Sequence, residues 1–216
     1  NRWLTVLHVI GILLIIEGVF MLISLIPSYI YGGSDAEIIS LSALFTICLG
    51  TGLFFTVRKS EVAITRKQGF VIVALIWIVM SCCGALPLYL GHYVPSFTDA
   101  FFETMSGFTT TGATILSGVE SIPKGILFWK SFTHWIGGIG IVVPFIGGGG
   151  MALFAAEVAG PDKSKISPHT EKTGKILIGV YSLITFLCII TYWACGMNFY
   201  DAICHAFSTM GTGGFS

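Results

Sequence analysis

The chain has 216 residues, 54% of them hydrophobic and only 10% charged, and its 11 basic and 11 acidic residues leave no formal net charge. Soluble domains carry about 25% charged residues, and the mean hydropathy here is +0.87. This excludes intrinsic disorder and a generally basic nucleic-acid-binding protein, and it predicts a polytopic membrane protein.

A helix needs about 20 apolar residues to cross the hydrocarbon core. Five stretches qualify: Leu4–Ile26, Ile38–Val57, Phe70–Leu90, Ile126–Phe154 and Ile176–Gly196. The first is too long for the apolar core of a signal peptide. It carries Glu17, which must face protein at that depth, with a structural hydrogen bond as its expected role. The fourth is interrupted by glycines, among them Gly137, Gly138, Gly140 and Gly147–Gly150, and by Pro144, which predicts close helix packing and local bending. His134 in that span has no second ligand at metal spacing, so it is expected to be packed or hydrogen-bonded. Trp3, Trp129 and Trp193 lie near span ends and suit interfacial anchoring. Cys48, Cys82, Cys83, Cys188, Cys195 and Cys204 lie in apolar stretches without CxxC spacing and read as small hydrophobes.

Simple alternation of the spans puts Arg2, Arg58, Lys59, Arg66, Lys67, Lys163, Lys165, Lys172 and Lys175 on one side. The positive-inside rule makes that side, and the N-terminus, cytoplasmic. Asp35, Glu37, Asp99, Glu120 and Asp201 then face outward with Lys124 and Lys130; Asp35, Glu37 and Glu120 read as solvated loop residues that raise local cation concentration, and Asp99 and Asp201 primarily as capping residues. The inner loop from Asp162 to Lys175 fits lipid headgroups first and a regulatory subunit second.

Two stretches too short to span follow spans three and five, and they repeat at an offset of 102 residues. Asp99, Ala100, Ser106, Thr110 and Gly112 recur as Asp201, Ala202, Ser208, Thr212 and Gly214, and the capping residues Ser96 and Asn198 correspond. Each copy predicts a short re-entrant helix running inward, then an extended Thr/Gly segment returning outward. The partially negative C-terminal helix ends favour a cation. Irregular backbone at membrane depth is tolerated where it is buried in protein or lines a water-filled pathway. Its carbonyl oxygens can there replace an ion's hydration shell. The plainer alternative is a pair of ordinary interhelical loops.

At Asp99–Thr114, Leu127–Gly140 and Met197–Ser216 the sequence resembles the Trk/Ktr/HKT potassium-transporter superfamily, and most closely its TrkH type. The resemblance implies an all-α polytopic membrane protein with helix–pore-helix–helix repeats of a potassium-channel-like pore and two extra N-terminal helices. The implied organisation is 1–66 for the extra helices, 67–157 for the first repeat, 158–173 for a cytoplasmic linker and 174–216 for a second repeat cut after its filter. It implies potassium ions coordinated around Thr110, Thr111, Gly112, Thr212, Gly213 and Gly214, with one key glycine per repeat in Gly112 and Gly214. Because a serine at the first-repeat glycine goes with sodium transport in plant relatives, Gly112 leans towards potassium. Glu103 and His205 hold equivalent positions on the two short helices and read as filter support, with a contribution of Glu103 to the field near the ion path as the alternative.

Family members have four such repeats, so the chain is expected to be a fragment of a longer transporter. The resemblance further implies potassium uptake across the plasma or inner membrane, with no enzymatic activity and no covalent cofactor. The partners implied are the lipid bilayer, a second copy in a homodimer and a cytosolic nucleotide-binding regulatory subunit of the TrkA or KtrA kind, with no nucleic acid. Rival readings are a tandem-pore potassium channel, which wants a TVGYG-like filter, and an intramembrane hydrolase using Ser106 and His134, which lacks a G-x-S-x-G context. Thr173-Gly174-Lys175 does not complete a P-loop.

Overall fold

The computed structural model describes residues 2–56, 66–140 and 168–214, and among these every regular element is helical. The second half of the fourth span, with Pro144 and Gly147–Gly150, and the inner-loop bases Arg58, Lys59, Lys163 and Lys165 lie outside the described residues.

The first apolar stretch forms α1 (Arg2–Ile23) and α2 (Leu25–Ile30), and the third forms α4 (Arg66–Gly84) and α5 (Leu86–Leu90). Both breaks have the same cause. Pro27 and Pro87 lack the N–H that would reach back one turn, so the axis bends there while Ser24 (φ −66°, ψ −14°) and Ala85 (φ −74°, ψ −20°) keep helical dihedrals. The first span therefore runs on to Ile30, beyond the expected Ile26.

The second span is α3 (Ala36–Thr56), packed along α1. A Cβ on Gly11 would lie 2.8 Å from the Gly50 carbonyl oxygen, and one on Gly50 would lie 2.7 Å from that of Gly11. Small residues that let backbones approach are the usual basis of helix pairing in lipid, where no hydrophobic force drives it. Gly50→Leu is therefore expected to cost about 1–3 kcal/mol by overpacking. A lowered thermal midpoint of the full-length protein in detergent would show it. The opposite face of α3 presents Leu41, Leu44, Phe45 and Phe55, all exposed, as a lipid-facing surface requires.

Glu17 is 1% exposed and sits against Gly84, at the bend between α4 and α5. It faces protein, as expected, but among the described residues neither carboxyl oxygen has the expected hydrogen-bond partner.

The two re-entrant helices are α6 (Phe97–Phe108) and α9 (Phe199–Met210). At 12 residues each they are about 18 Å long, far short of the roughly 30 Å hydrocarbon core. Ser96 caps α6, accepting from the Asp99 N–H at 3.1 Å and donating to the Asp99 carboxylate at 2.8 Å. Asn198 caps α9 by accepting from the Tyr200 N–H at 3.2 Å.

Helix α7 (Lys124–Gly140) follows the first Thr/Gly segment, and α8 (Pro168–Ala194) precedes α9. α7 is the hub, touching α2, α3, α6 and α9. Its Phe128, Trp129 and Phe132 join Met21, Met80 and Phe108 in one buried cluster. Trp129 is accordingly not an interfacial anchor: it is 1% exposed and its indole N–H donates to the Gly84 carbonyl at 2.9 Å. Trp193 is 60% exposed.

Asp35 also departs from its expected role. It is 1% exposed, accepts from the Ser28 hydroxyl, and accepts from the Ile126 N–H at 2.9 Å. Pro123, just before α7, has no side-chain acceptor to offer, so a carboxylate from the α2–α3 turn caps the helix and complements its dipole. Nearby, burial and then the charge of Asp35 hold the Tyr93 phenol above its ordinary pKa. Asp35→Ala is expected to lower stability by about 2 kcal/mol, while Asp35→Asn, which still offers an acceptor, should lose less. Thermal unfolding of the two variants side by side tests the ordering.

Candidate functional site

Both re-entrant helices end in the same hydrogen-bonded turn. After α6 the N–H groups of Thr110 and Thr111 donate to the carbonyls of Gly107 (3.0 Å) and Ser106 (2.9 Å). After α9 those of Thr212 and Gly213 donate to Thr209 (2.9 Å) and Ser208 (3.0 Å). This is a Schellman motif, which requires a left-handed residue after the helix cap, usually glycine. Here the position is filled by Thr110 (φ 55°) and Thr212 (φ 56°). A β-branched residue there is a genuine outlier costing about 1–2 kcal/mol, and such strain persists only where the surroundings enforce it.

The alternation continues: Gly112 (φ 77°) and Gly214 (φ 69°) are left-handed again, while Thr111 and Gly213 between them are not. The repeat inferred from five side-chain identities is thus a repeat of backbone conformation.

The two segments meet. A Cβ on Gly112 would overlap the carbonyl oxygen of Gly213, whereas one on Gly214 would meet no atom of the described residues within 4 Å. α7 seats both helix ends: a Cβ on Gly137 would overlap the Phe108 carbonyl, and one on Gly138 would lie 3.5 Å from the Gly211 Cα. Thr111, Thr212 and Gly214 are exposed, and Thr110, Gly112 and Gly213 are half-buried.

Behind the first segment lies a buried ionic network. Glu103 accepts from the Thr114 hydroxyl at 2.7 Å, from the Ile115 N–H at 3.0 Å and from the Lys130 ammonium at 2.8 Å. Lys130 also donates to Thr114 at 2.9 Å, and Ser106 donates its hydroxyl to the Ala113 carbonyl at 2.6 Å. The outgoing segment is therefore tied to α6 at residues 113, 114 and 115. With Glu103 1% and Lys130 6% exposed, Lys130 is no outward cation. An isolated cation inside an apolar span was the signal that it needed a partner. His205, at the corresponding place on α9, is half-buried with its ring 6.3 Å from that of Tyr192. Asp201 pairs with Lys124 at 3.8 Å, a long and exposed contact of little energetic weight. Among the described residues no group of three His, Cys, Asp or Glu side chains is placed to hold a metal ion.

A model of the TrkH family, described as a cation transport protein, matches residues 36–216. The chain belongs to the TrkH family. It is 37% identical to the Trk system potassium uptake protein TrkH of Halomonas elongata, covering 98% of this chain and 45% of that protein. It is 38% identical to the protein of the same name from Escherichia coli K12, covering 97% and 45%. The crystal structure of the potassium transporter TrkH from Vibrio parahaemolyticus superposes with a TM-score of 0.83 at 32% identity, covering 97% of this chain and 43% of that one. The chain thus spans under half the length of these relatives. It is a multi-pass, all-α membrane protein of TrkH architecture, with helix–re-entrant-helix–helix units after an extra helical pair. The relatives' names describe transport, not catalysis.

Proposed function

We propose that the full-length protein takes up potassium through a pore whose selectivity filter includes Thr110, Thr111, Gly112, Thr212, Gly213 and Gly214. The observation carrying this reading is the paired left-handed turn, Thr110/Gly112 and Thr212/Gly214, in two segments that abut at Gly112 and Gly213. Backbone carbonyl oxygens from two such segments would suit a dehydrated monovalent cation. Repeating the relation between the two segments in further repeats would build a ring. Glu103 supports the filter from behind, with its charge neutralised by Lys130, and His205 takes the corresponding place in the second unit.

In this reading 1–66 form the additional helices, 67–157 the first repeat, 158–173 a cytoplasmic linker and 174–216 the start of the second repeat. The protein resides in the inner membrane with its N-terminus cytoplasmic, as a homodimer regulated by a nucleotide-binding subunit of the TrkA type. Expression of the full-length gene in cells stripped of their own potassium uptake should restore growth at low potassium and rubidium entry. Neither occurring, with the protein present in the membrane, would remove the proposal.

A further inference from the structure

The two filter segments share backbone conformation but not side chains. Where the first has Thr109 and Thr111, the second has Gly211 and Gly213. Neither Gly211 nor Gly213 has a positive φ, so the backbone conformation does not require glycine at either place. The reason is steric, and it lies in α7. A Cβ on Gly213 would overlap the Cε1 and Nδ1 atoms of His134, and one on Gly211 would lie 2.7 Å from the His134 carbonyl oxygen. The same imidazole reaches the first unit, with its Cδ2 3.5 Å from where a Cβ on Gly107 would sit. His134 is 0% exposed. Its ring lies on the Gly213 Cα, in the volume a side chain at 213 would occupy, and Gly213 in turn puts its carbonyl oxygen against Gly112.

We propose that His134 is a positioning residue that sets selectivity: its imidazole replaces the side chain Gly213 lacks and holds the Gly213 carbonyl at its distance from Gly112. The inference rests on the filter reading above and adds a specificity-determining residue from outside both filter segments. Without the ring, the second segment has no wall behind Gly213 and relaxes away from the first. A change there reaches both segments, because the Gly213 carbonyl abuts Gly112.

The test is rubidium uptake with sodium competition by the full-length protein. His134→Ala should lower the potassium-over-sodium ratio about tenfold, in the range of coupling energies between touching residues. His134→Gln, planar and of similar reach, should keep most of it. Gly213→Ala alone should abolish uptake, because the new methyl collides with the ring. Combining Gly213→Ala with His134→Ala should restore uptake and part of the selectivity, a rescue that general loss of folding cannot produce. A wild-type ratio in His134→Ala, or a double variant no better than Gly213→Ala, would overturn the inference. Gly112→Ser in the same assay separates the two levels. If it lowers the ratio while His134 variants do not, the filter reading stands and the role of His134 falls. If Gly112→Ser leaves the ratio unchanged, the filter reading falls as well.

Discussion

Gly112→Ser in the full-length protein is expected to lower the potassium-over-sodium uptake ratio by roughly tenfold, the equivalent of about 1.4 kcal/mol. Two effects act together. The φ of 77° at Gly112 lies where residues with a Cβ are strained, at a cost of about 1–2 kcal/mol. The added Cβ would also overlap the Gly213 carbonyl oxygen, an atom of the other segment. Both are relieved by moving backbone carbonyls, and a filter discriminates ions by the number, field and spacing of those oxygens. Uptake need not fail, because a widened site still passes cations. Flux measured with rubidium against rising sodium reads the ratio, and a wild-type value would exclude Gly112 from the filter.

Lys130→Ala is expected to destabilise the protein by about 3–5 kcal/mol, because it strands the Glu103 carboxylate in a site where both groups are almost fully buried. Glu103→Ala should cost a similar amount by stranding the ammonium and releasing Thr114 and the Ile115 N–H. Together the two should cost clearly less than their sum, since each single change removes the same pair. A more demanding variant combines Glu103→Leu with Lys130→Met. Apolar replacement of a buried ion pair often leaves stability near its starting value, yet the outgoing segment would have lost its fastening to α6. Thermal stability should recover in this variant while selective uptake stays impaired. Recovery of both would show that the network contributes only to folding.

The composition, the spans and the repeat were legible because each is a local or periodic property. Twenty apolar residues specify a spanning helix wherever they pack, and Ser96 and Asn198 announce helix starts through backbone bonds only a few residues away. The glycines at 112 and 214 were singled out as the key glycine of each repeat, and both take a left-handed φ. Thr110 and Thr212 were singled out as filter residues, but their left-handed conformation was not foreseen, since β-branched residues ordinarily avoid it.

Pairings across the chain were not legible. Asp35 looked like an outer-loop acid because nothing in its neighbourhood distinguishes a solvated carboxylate from one capping a helix 91 residues away. Trp129 stood near a span end, where anchoring is common, but the face of α7 that carries it points inward. Lys130 finds Glu103 through a spacing of 27 residues that follows no helical period.

The sequence by itself thus determined that this is a membrane protein, that four of the five expected spans form helices long and apolar enough to cross among the described residues, and that two short helical units follow one plan, because hydropathy, capping and backbone permission act over a few residues. Only the tertiary structure decided which buried charges pair, which carboxylate caps α7, and why the second unit has glycines where the first has threonines. Those depend on which surfaces α7 brings together, and the side chain that fills the space behind Gly213 comes from a residue 79 positions earlier, His134.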